Sequence, residues 1–479
     1  MSSLPSSRLD AATSSPPAPL SAGPALRRGW RSTRFLVDAI LVVALFVAAC
    51  VSYFSNVNDA AFHPDESRWL NRAHYIEDVL DPFGPTWNDQ YLTRGQPPIG
   101  SYVMGLGLLA QGRDLDTNPA WDFRRSPQFN VQNGMVPTRD DLDAGRRANA
   151  LLGALTVVVV YLLGRLLTNP VGGVVSAALL IAHPLVIWHN SLALADTTLT
   201  LTLALLFYAG ARFADRPSWR WAIVIGVLVG IGGANKLTPL ALLAPLVAIG
   251  AFLLVRDIWV RWQRPLRNIN WEGFGPIPSF HHRGWMLLAT PVVAGLTFVA
   301  VYPYLWQQPL WRTWQLFKFR RAENDGQAAL FPKFRVDGPL DALGRTWTNL
   351  GDRWSATERI FQWVGLDALG RPLSWLDIAL PLLGLVALVL LVVRCGVLSR
   401  YSMVLALTAT QVAAIIASMS ADFERYYLPI VLGSAIVGGF AVGIGASGVL
   451  VAVRRLRRIP KRQETALAGS PGSASAQPR

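Results

Sequence analysis

The chain has 479 residues, of which 52% are hydrophobic and only 15% charged. Ordinary globular domains carry about a quarter charged residues, so this composition cannot furnish the wetted surface of several soluble domains. Lys and Arg number 44 against 30 Asp and Glu, a formal charge of +14, but most of the surplus lies beside apolar runs, which points to a bilayer and its anionic headgroups and not to nucleic acid.

Residues 1 to about 24 are dominated by Ser, Pro and Ala and cannot bury enough apolar surface to offset chain entropy. A disordered N-terminal tail over 1–34 is therefore expected. Arg27, Arg28, Arg31 and Arg34 precede the run Phe35 to Phe54, which is too long for a signal-peptide core and reads as a first span. Within it, Val47-Ala48-Ala49-Cys50 matches a lipoprotein cleavage box, with a small-residue helix face as the alternative. A polar segment follows over 55–147. Its one apolar piece, Ile99 to Ala110, is too short to cross a bilayer and suits the interface. Further apolar runs at 148–167, 171–188, 197–213, 221–234, 238–255, 285–306, 373–394, 401–419 and 427–453 bring the expected spans to ten. A basic tail over 454–479 closes the chain. The fold class is thus an all-α polytopic membrane protein, with its membrane domain over 35–453.

Charge in the short connections gives the orientation. Placing the N-terminus in the cytoplasm also places there Arg165, Arg212, Arg216 and Arg220, the loop 256–283, Arg394, Arg400 and the cluster Arg454 to Arg462. The opposite connections, 189–196, 235–237 and 420–426, carry only Lys236 and Arg425. Both termini are therefore expected inside a cell membrane, and the long segments 55–147 and 307–372 outside. Cys50 and Cys395 form no bridge or metal pattern, and the six histidines form no ligand set.

The outer side gathers the residues with chemistry. His63-Pro64-Asp65-Glu66 places two carboxylates near the membrane surface, where they could deprotonate a hydroxyl or, with His63, hold a divalent cation. The same residues also make good capping chemistry, with Asp65 as N-cap and Glu66 in the first turn of a helix over Ser67 to Val79. Arg94, in Arg94-Gly95-Gln96-Pro97-Pro98, is placed to meet an anion at headgroup depth. Asp196 stands at the mouth of a span, as a functional charge or as the N-cap of a helix from Thr197. Lys236 and Arg425 are cations against the local charge bias, which fits phosphate binding, snorkelling or an ion pair, for Arg425 with Glu424 or Asp422.

The succession of Asp65-Glu66, the Pro-Pro segment, Arg146 to Thr156 (RRANALLGALT), Ala195 to Thr200 (ADTTLT), Asn235 to Pro239 (NKLTP) and Arg425 to Pro429 (RYYLP) resembles the GT-C membrane glycosyltransferases. Within them it is most similar to the protein O-mannosyltransferase and aminoarabinose-transferase branch. That resemblance implies a GT-C fold and transfer of a sugar, with inversion, from a polyprenyl-phosphate-linked donor to a hydroxyl acceptor on a protein, lipid or glycan at the outer face. It also implies that Asp65 is the catalytic base beside Glu66, that Asp196 is the second acidic site, and that Arg94, Lys236 and Arg425 hold the carrier phosphate. No cofactor is implied. Gln96 stands where relatives often have Lys, and 307–372 lacks a β-rich insert, so its basic aromatic stretch Trp311 to Arg321 is expected to lie on the membrane. A transporter or flippase of lipid-linked sugars is the rival reading. It calls for polar groups in mid-span and inverted repeats, and neither is visible.

Overall fold

A computed structural model describes residues 24–262 and 281–456, so most of both tails and part of the loop 256–283 lie outside the described residues. By internal contacts the chain falls into two units, Met1–Val43 and Ala44–Arg479. The first unit contributes the opening of helix α1 (Pro24–Phe54), where Phe35, Ile40 and Val43 stand exposed. The apolar faces there suit lipid.

The second unit is helical. After α1 come α2 (Pro64–Asn71), α3 (Tyr75–Asp78), α4 (Tyr91–Gly95), α5 (Ile99–Leu109) and α6 (Pro127–Gln132). Then follow α7 (Arg139–Leu167), α8 (Pro170–Ala182), α9 (Pro184–Asn190), α10 (Ala195–Asp215), α11 (Trp219–Gly233), α12 (Leu243–Trp262), α13 (Arg283–Leu288) and α14 (Thr290–Ala300). The remainder is α15 (Pro309–Leu330), α16 (Pro339–Thr348), α17 (Ala356–Trp363), α18 (Asp367–Gly370), α19 (Leu376–Cys395), α20 (Arg400–Ser418) and α21 (Leu428–Leu456). Among the described residues there is no strand, only an isolated bridge between Arg335 and Ala421.

Local chemistry sets the boundaries. Thr138 caps α7 by accepting the Asp141 N–H at 3.3 Å, and Asp140 and Asp141 sit where the helix dipole favours negative charge. Asn169 caps α8 through the Gly172 N–H at 3.1 Å, with Pro170 in the first turn. Pro184 then ends α8, because proline disfavours helical backbone in the residue before it, and His183 is extended. The chain resumes as α9 at a bend of 67°.

Among the described residues, eight helices are long and apolar enough to cross a membrane, or nine if the bent α8–α9 pair is one span. The chain is a multi-pass membrane protein of the expected all-α class. Two of the ten expected spans differ. The run 171–188 is broken at Pro184, and the run 221–234 is a helix of only 15 residues, about 22 Å long against roughly 30 Å of hydrocarbon. The piece expected at the interface, α5, packs Gly100, Met104, Gly105 and Leu108 against neighbouring helices and leaves Leu106 and Leu109 exposed on its other face.

Helix pairs α7–α8, α7–α10, α11–α14, α19–α21 and α8–α21 carry the packing. The α8–α21 crossing is close. A Cβ on Gly439 would lie 2.0 Å from the Ser176 side-chain oxygen and 2.5 Å from its backbone nitrogen, and one on Gly443 would lie 3.0 Å from the Gly172 Cα. Small residues let these backbones touch, which is how helices gain contact where lipid offers no hydrophobic drive. Gly439→Val should therefore lower stability by about 1–3 kcal/mol through overpacking. Gly448→Ala, with nothing within 4 Å of its Cβ, should leave it unchanged. Thermal unfolding of the purified variants in detergent checks both outcomes.

Candidate active site

The site begins at the turn into α2. His63 is the N-cap: its Nδ1 accepts the Asp65 N–H at 3.1 Å, while the Glu66 carboxylate accepts the His63 N–H at 2.9 Å. This reciprocal capping box moves the cap from Asp65, where the sequence placed it, to His63. Asp65 is thereby left pointing elsewhere. Burial first, and then the nearby Arg425 charge, hold the His63 imidazole below its ordinary pKa range, so it stays neutral at pH 7. Because its Nδ1 accepts, the ring proton sits on Nε2.

Glu66 is fully buried and meets the fully buried Arg146 of α7 in a two-pronged ion pair, Nε to Oε1 and Nη2 to Oε2, each 2.8 Å. Its Oε1 also accepts the Ala193 N–H at 2.8 Å. Arg146 spends its remaining donors on the carbonyls of Val57, Ala60 and Ala61. Every oxygen of Glu66 is thus committed to structure. This corrects the expectation of a catalytic Glu66: it does not line the cavity described next, and its carboxylate holds the loop in front of α2 against α7 and the segment before α10.

The cavity measures about 1750 Å³. It is walled by α2, the end of α4, α9, the start of α10, the 235–238 connection, α15, the end of α20 and the 419–429 connection. Two ion pairs face into it. Asp65, 15% exposed, pairs with Arg425, 22% exposed. Asp196, buried in the first turn of α10, pairs with Lys236. The N-cap of α10 is Leu194, so Asp196 is not the cap that the sequence allowed. Arg425 and Lys236 share one aromatic neighbour, the Tyr426 ring, at 5.6 and 5.9 Å, and Arg425 also lies 5.2 Å from the Phe423 ring. Of the pairings open to Arg425 from sequence, neither acid was Asp65; instead Asp422 accepts from Tyr427 and Glu424 pairs with Arg353.

Arg94 is a second correction. It is bound to Asp89 at 2.7 Å, lies over Phe319, and does not line the cavity. Its helix, α4, is only five residues long, and the cavity is lined there by Tyr91, Leu92 and Gly95 instead. Cavity cations that the sequence did not single out include Arg68, which donates to the Trp121 carbonyl at 2.9 Å, and Arg320, which donates to the Gly95 carbonyl at 2.9 Å. Gln96 serves a structural end: it accepts from the buried Arg72. With burial opposing its charge and no carboxylate partner, the Arg72 guanidinium is pulled down to about 10. The stretch Trp311 to Arg321 does two jobs. Trp311 and Trp314 are exposed, while Phe317, Phe319, Arg320 and Arg321 form cavity wall.

A divalent cation does not fit at Asp65 and Glu66. Among the described residues no group of three or more His, Cys, Asp or Glu is arranged to hold a metal, and each carboxylate is already met by an arginine.

A family model described as dolichyl-phosphate-mannose-protein mannosyltransferase matches residues 138–269. That match supports the recognition of the GT-C superfamily made from the sequence. No curated protein matches the chain. Among solved structures, the chain is similar to ArnT from Cupriavidus metallidurans bound to undecaprenyl phosphate, at 16% identity and TM-score 0.47, over 83% of this chain and 59% of that one. It is also similar to the oligosaccharyltransferase AglB from Archaeoglobus fulgidus in complex with an inhibitory peptide and a dolichol-phosphate, at 12% identity and TM-score 0.45, over 90% and 52%. A third similarity is to the Pmt1-Pmt2 protein O-mannosyltransferase complex of S. cerevisiae bound to the sugar donor, at 14% identity and TM-score 0.34, over 64% and 35%. The chain spans between 35% and 59% of the length of these solved proteins.

Removing one partner of a buried ion pair strands the other charge, so Arg146→Met should cost about 3–5 kcal/mol of stability. The double variant Glu66→Leu with Arg146→Met should recover part of that loss. Thermal unfolding of the three proteins in detergent measures both effects.

Proposed function

We propose that the chain moves a sugar from a polyprenyl-phosphate-linked donor to a hydroxyl acceptor, with inversion at the anomeric carbon, at the outer face of a cell membrane. The observation that carries this reading is the pair of carboxylate–cation contacts, Asp65–Arg425 and Asp196–Lys236, set in one cavity from four separate segments. The family match over 138–269 adds a lipid-phosphate sugar donor to the expectation. A volume of about 1750 Å³ exceeds the roughly 300–1,000 Å³ of an ordinary small-molecule pocket and leaves room for a sugar, its phosphate and an acceptor together.

The chemistry follows from the residues. Arg425 offers a planar fork that matches two phosphate oxygens, and Lys236 a compact charge beside it. Drawing Arg425 toward the phosphate loosens its hold on Asp65. The Asp65 carboxylate then takes the proton of the acceptor hydroxyl as that oxygen attacks the anomeric carbon. The bond from that carbon to the phosphate oxygen breaks, and its electron pair stays on the leaving phosphate, where the two cations stabilise it. Asp196 holds Lys236 in place and presents a second acceptor for hydroxyl groups.

Asp65→Asn keeps the shape of the side chain and removes the base. It should lower transfer from a polyprenyl-phosphate sugar by about 10²–10⁴-fold at unchanged thermal stability. Equal transfer by both proteins would return Asp65 to an ion-pair role. The proposed topology has its own test in Cys395, which is exposed at the end of α19. In a Cys50→Ser background, an impermeant maleimide should label Cys395 in inverted vesicles and leave it unmodified in intact spheroplasts.

A further inference from the structure

The bend at Pro184 brings α9 to the cavity, and two residues there and one across from them play no part in the mechanism above. His189 lines the cavity but is otherwise buried, and its Nδ1 lies 2.9 Å from the Leu185 carbonyl. A carbonyl can only accept, so Nδ1 carries the ring proton. The remaining polar atom, Nε2, is therefore a bare acceptor. Asn235, also cavity-lining and almost fully buried, donates its Nδ2 to the Ala195 carbonyl at 2.9 Å. That bond fixes the amide orientation and leaves Oδ1 buried without a partner. A stranded buried acceptor of this kind is costly and calls for an occupant. Beside His189, at 5.7 Å between ring centroids, the Trp188 ring lines the same cavity and is 41% exposed.

Two acceptors with no proton of their own cannot receive a phosphate, whose oxygens also accept. They can receive hydroxyls. A flat, exposed indole beside them offers an apolar face, and a pyranose presents both hydroxyls at its rim and C–H groups on its face. Asn235 is the chain neighbour of Lys236, the cation that the proposed function assigns to the phosphate. The group one bond from that phosphate is the donor sugar. We infer that His189, Asn235 and Trp188 form the subsite for the donor's sugar ring, with Nε2 and Oδ1 accepting ring hydroxyls and the indole packing on the ring face. This assignment rests on the glycosyl-transfer reading for the identity of the donor.

It is tested by binding as well as by turnover. The purified wild-type protein, His189→Phe and Trp188→Leu are titrated with undecaprenyl phosphate and with undecaprenyl-phosphate hexose, and melting temperatures are recorded for each. The wild type should bind the sugar-bearing lipid more tightly than the bare one. Each substitution should weaken binding of the sugar-bearing lipid by about 5–50-fold and leave the bare lipid phosphate unchanged. Equal affinity of the wild type for both lipids, or equal losses for both lipids in the variants, overturns the subsite. Should His189→Phe fail to fold, Trp188→Leu carries the test, because its ring is exposed. A wild type that shows the sugar-dependent binding but transfers no sugar to any acceptor would uphold the subsite and sink the glycosyl-transfer reading instead.

Discussion

Everything at the site depends on one buried ion pair. Glu66 and Arg146 are fully buried, and together they absorb nearly all the polar groups of the turn that leads into α2. Taking two charges out of water is costly, and geometry has to repay it. Here the repayment is complete: two parallel bonds between the partners, three backbone carbonyls on the guanidinium, and two backbone N–H groups on the carboxylate. The neighbouring Asp65 inherits a fixed position without contributing to that network. A reactive carboxylate needs such support, because a side chain that moves by an ångström loses its alignment with the reacting atoms.

The adjacent acids illustrate how environment divides labour between identical chemistries. One carboxylate faces α7 and becomes structural. The other faces the cavity and meets a cation on a chain segment 360 residues away. Nothing in the local sequence distinguishes them, since both follow the same proline and both suit the first turn of a helix. Side-chain direction decides, and that direction is set by α7 and by the capping box at His63.

Much of the fold was legible because hydrocarbon imposes a length and a composition. Runs of about 20 apolar residues announced most of the helices, and the cations standing against the charge bias, Lys236 and Arg425, announced the cavity. Other features needed three dimensions. The break in 171–188 was signalled by Pro184, yet its continuity of apolar residues hid it. The 221–234 run is apolar but forms a helix of only 15 residues. Arg94 read as an anion binder from its neighbours, and Asp89, five residues earlier, satisfies it instead. Arg146 had a signal that went unused: an arginine next to a long apolar stretch, in a helix, is expensive unless something buried pays it back. His189 and Asn235 had none, because the character of each depends on which of its atoms a distant or preceding carbonyl has already taken.

The close crossing of α8 and α21 reaches further than the bundle it holds together. Helix α21 starts three residues after Arg425, and α8 leads through the bend into His189, so two walls of the site continue from one close helix crossing. Packed interiors shift between discrete arrangements and do not stretch continuously. With glycines meeting Gly172 and only the small Ser176 and Thr168 side chains, little can repack at this crossing. On the proposed function, adjustment to bulkier or slimmer acceptors falls to the opposite wall, where α15 meets the cavity with long, jointed side chains such as Arg320 and Arg321. On that reading, substrate range is set by a surface helix and the reacting distance by the core.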